Sequence, residues 1–324
     1  MVPLWHRSVI GGVLFGWSFT LVSMRIALGT AALGRPAYIN LGRDTALPVE
    51  RTVDAMRTAS FDVLDAAYAA GIRWVDAARS YGRAEEFVAA WLADRGHTDV
   101  TVSSKWGYEY TADWRPDADV HEVKEHSAAR FERQWDETRE LLEVGLYQVH
   151  SLTGDSPLFD DEDLRSRMAD IGVPLGFSTS GPAQADTIRR AFDLQANGQR
   201  LFSSVQSTWN VLETSAGPAL AEAHAEGARV MLKEVMANGR LAVQPPGPVV
   251  DIAIRHGAGP DAVAMAAALA QPWADLVLTG AASVPQLYAN LMPVRLDDVD
   301  RELLHDLAEA PEQYWRTRSQ LRWT

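Results

Sequence analysis

The chain has 324 residues, 47% of them hydrophobic, and a formal net charge of −13 from 30 Lys and Arg against 43 Asp and Glu. That length and apolar content suit one barrel or two ordinary domains, and the acidic balance excludes a nucleic-acid surface, which needs basic patches. With no cysteine, disulfides, thiolate metal ligands and a cysteine nucleophile are excluded. The eight histidines form no HxH, no HExxH and no tight His/Asp cluster, so no metal site is expected.

Residues 8–23, SVIGGVLFGWSFTLVS, are apolar behind His6 and Arg7. They resemble a weak signal-peptide core but lack a small-residue cleavage site. They are also short of the roughly 20 apolar residues that a membrane span needs. Met24 opens MRIALGTAALG, which reads as a protein start. We read residues 1–23 as an N-terminal extension, leaving open a targeting segment or a packed extra element.

From there, short apolar strands alternate with helical patterns. The first strand is expected at Arg25–Leu28, followed by Gly29-Thr30 and a Gly- and Pro-rich loop. A helix over Ala59–Ala70 carries Phe61, Leu64, Ala67 and Tyr68 at helical spacing, and Gly71 stops it. Strand two, Ile72–Val75, delivers Asp76, with Tyr81 on the loop beyond. The helix Ala84–Arg95 and strand three, Val100–Ser103, lead to Lys105. A loop dense in aromatics (Trp106, Tyr108, Tyr110, Trp114) and a helix over Ser127–Leu142 precede strand four, Leu146–Val149, and His150. The acidic run Asp155–Asp163 reads as a solvated loop and helix start. Strand five is Pro174–Phe177, ending in Ser178 and Thr179. A helix over Ala183–Ala196 leads to strand six, Phe202–Val205, and Gln206. A helix near Gly217–Glu226 then leads to strand seven, Arg229–Leu232, and Lys233. The helix Pro260–Ala270, strand eight at Ala274–Leu278, a helix from Val284 and another over Asp298–Glu309 complete the chain. Alternation of this kind predicts parallel pairing with helical crossovers. Eight units fit a single (β/α)8 TIM barrel over residues 24–324. The Leu28–Gly34 segment does not fit the GxGxxG turn of a doubly wound sheet.

The strings GIRWVDAARSYGRAEE, VSSKWG and LYQVHS closely resemble the aldo-keto reductase superfamily. In that family the second-strand motif carries Asp and Tyr, the third strand ends in Lys and the fourth in His. Asp76, Tyr81, Lys105 and His150 match in order, over a likeness that runs from about Met24 to Asn290. The resemblance implies a nicotinamide-dependent oxidoreductase acting on a small carbonyl or alcohol substrate. The protein is expected to be cytoplasmic, without a membrane or nucleic-acid partner, and its acidic, helix-covered exterior suits a monomer or small homo-oligomer.

The chemistry supports the same four residues. Hydride addition to a carbonyl leaves a developing alkoxide that needs a proton. A free tyrosine, with a pKa near 10, gives its proton reluctantly. The ammonium of Lys105 is expected to lower that pKa and bring Tyr81 into a useful range. Asp76 would hold Lys105, and His150 would donate to the carbonyl oxygen. Singly, each has an ordinary reading. Asp76 could cap a turn, Tyr81 could be a packed loop aromatic and His150 a satisfied core histidine, although a buried lysine needs a partner.

Cofactor residues follow from the resemblance alone. Gly29 and Thr30 match the segment after strand one. Ser178, Thr179 and Gln206 match the carboxamide contacts, with Thr179 departing from the usual Asn. Lys233, Met236, Gly239 and Leu241 match the pyrophosphate segment. Gly280, Ser283, Gln286 and Asn290 match the adenosine-phosphate loop. Members that prefer NADPH often carry a basic residue where this chain has Gly280 or Gln286. NADP(H) is the expected cofactor, with NAD(H) the alternative. Trp106, Tyr108 and Trp209 are the candidate substrate wall, an aromatic lining suited to a ligand pocket. Two other readings stay open: a cofactor-binding regulatory barrel without turnover, and a Schiff-base aldolase using Lys105 or Lys233.

Overall fold

The computed structural model describes residues 24–38 and 40–321, so the extension at 1–23 lies outside the described residues. Eight parallel strands close into a barrel. In chain order they are β1 (Ile26–Gly29), β2 (Trp74–Asp76), β3 (Thr101–Trp106), β6 (Leu146–Leu152), β7 (Leu175–Thr179), β10 (Ser204–Thr208), β11 (Arg229–Lys233) and β12 (Leu276–Thr279). Each barrel strand pairs with its sequence neighbours, and β12 closes on β1. Two antiparallel pairs lie outside the barrel: β4 (Tyr108–Tyr110) with β5 (Glu122–Lys124), and β8 (Gln195–Ala196) with β9 (Gln199–Arg200). The architecture is the expected (β/α)8 barrel. Among the described residues, no helix is long and apolar enough to cross a membrane.

The helices that matter for the site begin with α1 (Val53–Ala69) and α2 (Ala84–Arg95). Thr52 caps α1 by accepting from the Ala55 amide at 3.2 Å. That cap starts the helix six residues before the Ala59 start expected from periodicity. Along α2, Phe87, Val88 and Trp91 are buried, and the indole of Trp91 donates to Asp65 of α1 at 2.8 Å. Next come α3 (Ala128–Leu141), α4 (Glu162–Ala169), α5 (Gln184–Phe192), α6 (Gly217–Ala225), α7 (Arg240–Val243), α8 (Gly247–His256), α9 (Pro260–Leu269), α10 (Val284–Asn290), α11 (Asp298–His305) and α12 (Pro311–Ser319). The α5 helix ends at Phe192, four residues short of expectation. Asn197 and Gly198, both at positive φ, turn the next residues into the β8–β9 hairpin.

Most barrel strands extend further toward the site than the sequence suggests. Lys105, His150, Ser178, Thr179, Gln206, Lys233 and Thr279 sit inside strands rather than just past them. Polar residues at these positions look like strand ends because they break an apolar run. Partners inside the barrel, and for Thr179 and Thr279 on the surrounding helices, satisfy most of them, so the ladder continues. Ala27, Leu146, Met231, Leu276 and Leu278 form an apolar layer with Trp74 inside the barrel. Above it lies a polar layer: Trp74 donates to Ser103, which in turn donates to Asp76. Gly176 makes room here, since a Cβ would meet the Ser204 hydroxyl at 2.2 Å and Gln148 at 3.3 Å.

Two glycines join the loops after β1 and β2. A Cβ on Gly34 would fall 2.2 Å from the Tyr81 carbonyl oxygen, and one on Gly82 would fall 2.4 Å from the Gly34 oxygen. Gly82 also has φ +61°, a left-handed conformation that glycine adopts freely. The Arg83 amide donates to the Gly34 oxygen at 2.7 Å. Backbone lies directly on backbone, so neither loop moves without the other. Gly34→Ala should cost about 1–3 kcal/mol of stability through overpacking. A urea denaturation midpoint below that of the wild type is the expected result.

Candidate active site

Asp76, at the C-terminal end of β2, is 1% exposed and receives bonds from four side chains on three strands. One carboxylate oxygen accepts from Ser103 of β3 at 2.7 Å, Gln148 of β6 at 3.2 Å and Gln206 of β10 at 3.1 Å. The other takes the Lys105 ammonium. Lys105 also donates to the Ala77 carbonyl at 2.9 Å and reaches the Tyr81 hydroxyl at 3.5 Å. A buried lysine is thus fully engaged, as the cost of burying its charge requires.

Tyr81 rides on the loop that the two glycines fix. The loop is held on its outer side by Arg79, which binds Glu85 and Glu137, while Glu85 also accepts from Ser104 and Thr138. The ring of Tyr81 meets His150 edge-on, with centroids 5.5 Å apart. His150 Nδ1 lies 3.3 Å from the Ser80 hydroxyl, and Tyr108 packs on its ring at 4.9 Å. The four residues expected to act together are therefore brought together.

Electrostatics at this point depart from expectation in one respect. Burial, followed by the Asp76 carboxylate, pushes the Tyr81 phenol well above its ordinary value of 10. The sequence reading had Lys105 pulling it down. In the structure Asp76 lies against that ammonium, and the Tyr81 oxygen sits at the long limit of a hydrogen bond. Tyr81 is firmly protonated. Burial and the positive charge of Lys105 hold the His150 pKa well below 6.5, so the imidazole is neutral.

Asp76, Tyr81 and His150 open onto a cavity of about 330 Å³, with Lys105 buried behind them. Of the positions matched to a cofactor, Gly29, Gln206, Lys233, Met236, Gly239, Gly280, Gln286 and Asn290 line it. The others do not. Thr30 donates to the Asp76 carbonyl at 2.9 Å, Ser178 accepts from the Ser151 amide at 2.8 Å and Thr179 pairs with Ser207 at 2.7 Å. Leu241 is core, and Ser283 caps α10. Gln206 and Gln286 line the cavity with part of their amides already used, on Asp76 and on the Ala282 amide. Of the expected substrate wall, Tyr108 lines the cavity. Trp106 faces outward from β3 and packs on Phe131 and His126, fully buried. Trp209 packs on Trp273, also away from the cavity. An indole just beyond a strand-end lysine suggested a pocket wall, but strand alternation sends the residue after an inward Lys105 outward.

Sequence reading missed several lining residues: Arg35, Tyr38, Arg43, Glu122, Glu234 and Arg318. Glu234 follows Lys233 directly, and two adjacent charges after an apolar strand were the available signal. Arg318 of α12 binds both its oxygens, with Nε at 2.9 and 3.0 Å, and Thr208 donates to it at 3.1 Å. Lys233 donates to the same threonine at 3.0 Å. Burial opposes the Glu234 charge, but Arg318 and Lys233 outweigh it and hold the carboxyl down at about 2. Burial brings Lys233 down to about 8.

The Aldo/keto reductase family model matches residues 25–309. Among solved structures, the chain is similar to a glycerol dehydrogenase from Gluconobacter oxydans, at 19% identity and a TM-score of 0.64 over 87% of this chain and 90% of that one. An aldo-keto reductase from Bacillus halodurans, solved in its holo form, matches at 20% identity and a TM-score of 0.64, over 90% and 95% of the two chains. At these identities the two likenesses speak for the fold. A comparison with curated proteins gave no match.

The Glu234 pair has a pH signature. Its folded pKa of about 2 lies below the ordinary carboxyl value, so it stabilises the fold above pH ~4.5. That contribution is lost as pH falls through the folded value. The ceiling is about 3 kcal/mol by linkage. Urea unfolding of wild type and Glu234→Gln should differ most near neutrality, with the difference shrinking between pH ~4.5 and ~2.

Proposed function

Because the chain belongs to the aldo/keto reductase family, and is an oxidoreductase on that ground, we propose that it moves hydride between a nicotinamide cofactor and a small carbonyl or alcohol substrate. Tyr81 is the general acid and base, assisted by Lys105, Asp76 and His150. One observation carries this reading: the Lys105 ammonium joins the Asp76 carboxylate to the Tyr81 hydroxyl at the wall of the cavity.

A bound nicotinamide supplies the hydride. Tyr81 gives its proton to the oxygen where alkoxide develops. An alkoxide is a much stronger base than a phenolate, so even a raised phenol transfers its proton downhill. Lys105 stabilises the phenolate left behind, and Asp76 keeps Lys105 charged and aimed. Neutral His150 donates an N–H to the substrate oxygen and orients it. In the oxidative direction Tyr81 accepts the alcohol's proton.

The cavity suits a dinucleotide. Gly280 has open space where a Cβ would stand, so a ligand can approach its backbone closely. Asn238 Oδ1 is buried beside Gly239 without a partner among the described residues, an acceptor for a ribose hydroxyl or an amine. Met236, Gly239, Gln286 and Asn290 would hold the same group. We assign NADP(H), with NAD(H) the alternative. Gly280 and Gln286 bring no cation, but Arg43 does, from the loop after β1. The proposal places one barrel domain over residues 24–324, in the cytoplasm, as a monomer or small homo-oligomer.

A Schiff-base enzyme is the second reading, favoured by the lowered pKa of the cavity-lining Lys233. Borohydride trapping of a carbonyl compound on Lys233, with no nicotinamide dependence, would establish it.

The main test follows absorbance at about 340 nm with NADPH or NADH and a panel of aldehydes, ketones and sugars. Tyr81→Phe should lower kcat by about 10²–10⁴, with cofactor affinity, read by tryptophan fluorescence, nearly unchanged. Retained activity in that variant removes Tyr81 from the role.

A further inference from the structure

We propose that Arg35 is a positioning residue for Tyr81: its guanidinium forms a second cationic face on the phenol and, through Glu122, fastens the β4–β5 hairpin over it. This rests on Tyr81 being the proton donor.

Arg35 is 1% exposed. Burying a guanidinium is costly without partners, and this one has several. It donates to the Ala31 carbonyl at 3.2 Å, the Ser80 carbonyl at 3.1 Å and the Glu122 carboxylate at 2.9 Å. Its central carbon lies 4.1 Å from the Tyr38 ring centre and 5.2 Å from that of Tyr81. Lys105 Nζ lies 4.9 Å from the same Tyr81 centre. Two cations thus flank one phenol, and both distances fall within cation–π range.

The backbone makes this arrangement rigid. Arg35 directly follows Gly34, whose Cα lies against the Tyr81 carbonyl. No Cβ fits between the two loops, so the backbones that carry the guanidinium and the phenol keep a fixed separation. Electrostatics agree: Arg35 pulls the Tyr81 pKa down, while Glu122 pushes it up.

The hairpin is the second part of the inference. Gly107, at φ +108°, lies against His126 at its base, and its amide donates to Gln134 at 2.8 Å. His126 in turn donates through Nε2 to the His150 carbonyl, 2.9 Å away. Tyr108 of β4 sits on the His150 ring. Glu122 of β5 reaches across to Arg35. The hairpin's strands therefore touch two of the groups around the reacting centre, His150 and Arg35. Charged and titratable groups facing Tyr81 are Asp76, Lys105 and His150 from the barrel, Arg35 and Tyr38 from the loop after β1, and Glu122 from the hairpin. Lys233, Glu234 and Arg318 face it across the cavity.

Two measurements test the proposal. Amide hydrogen exchange on the protein without added ligand reads the fastening. Residues 108–124 should exchange at least about tenfold faster in both Arg35→Gln and Glu122→Gln. The pH dependence of kcat, with NADPH and whichever carbonyl of the panel is turned over, reads the electrostatics. Reduction needs protonated Tyr81, so the rate falls as pH rises through the phenol pKa. Arg35→Gln removes a cation and should move this alkaline limb upward. Glu122→Gln removes an anion and should move it downward, and Arg35→Lys should restore the limb toward wild type. A merely structural brace gives no such opposed shifts. Hairpin exchange unchanged in both variants, or limbs that move the same way or not at all, overturns the proposal. Tyr81→Phe run alongside separates the failures: an active Tyr81→Phe defeats the parent reading, and an inactive one with unmoved limbs defeats this one.

Discussion

One buried carboxylate organises the upper barrel. Asp76 draws hydrogen bonds from its neighbour β3 and from β6 and β10 across the barrel, and an ammonium besides. An ionised carboxylate removed from water is tolerable only when every lone pair is matched. That requirement sets the inward residues of four strands at once. Ser103, Gln148 and Gln206 are polar because Asp76 is charged, and Gly176 is small because Gln148 and Ser204 need room. The proton chemistry proposed for Tyr81 depends on the same matching, since a Lys105 without Asp76 would be a costly and mobile charge.

The fold was legible because its signal is repeated. Each apolar run of four or five residues followed by a helical pattern points to the same unit, and eight of them fit one barrel. Asp76, Tyr81, Lys105 and His150 were legible for the same reason, as chemical groups at successive strand ends. Less regular features escaped. The β4–β5 hairpin has no alternation strong enough to mark two three-residue strands among many aromatics. Trp106 was misplaced because composition was read where alternation decides. Nothing local announces Arg318, whose partner Glu234 lies 84 residues away.

Lysine near tyrosine suggested a lowered phenol pKa, but distance and neutralisation matter more than proximity in sequence. Lys105 gives its charge first to Asp76, in contact, and Tyr81 feels the net dipole plus its own desolvation. A protonated phenol is the form that carbonyl reduction requires. The same burial that makes Tyr81 a poor acid in isolation keeps its proton in place until an alkoxide appears.

The Glu234–Arg318 pair bears on the order in which the molecule is made. The two ends of the site, Arg35 and Arg318, leave the ribosome 283 residues apart. At roughly 5–20 residues per second, that interval is on the order of tens of seconds. Over the last 84 residues of it, Glu234 has no guanidinium to share burial with and stays hydrated. The barrel wall can close around its apolar layer earlier, but the mouth is completed by the last helix. In a newborn chain the scaffold therefore precedes the pocket.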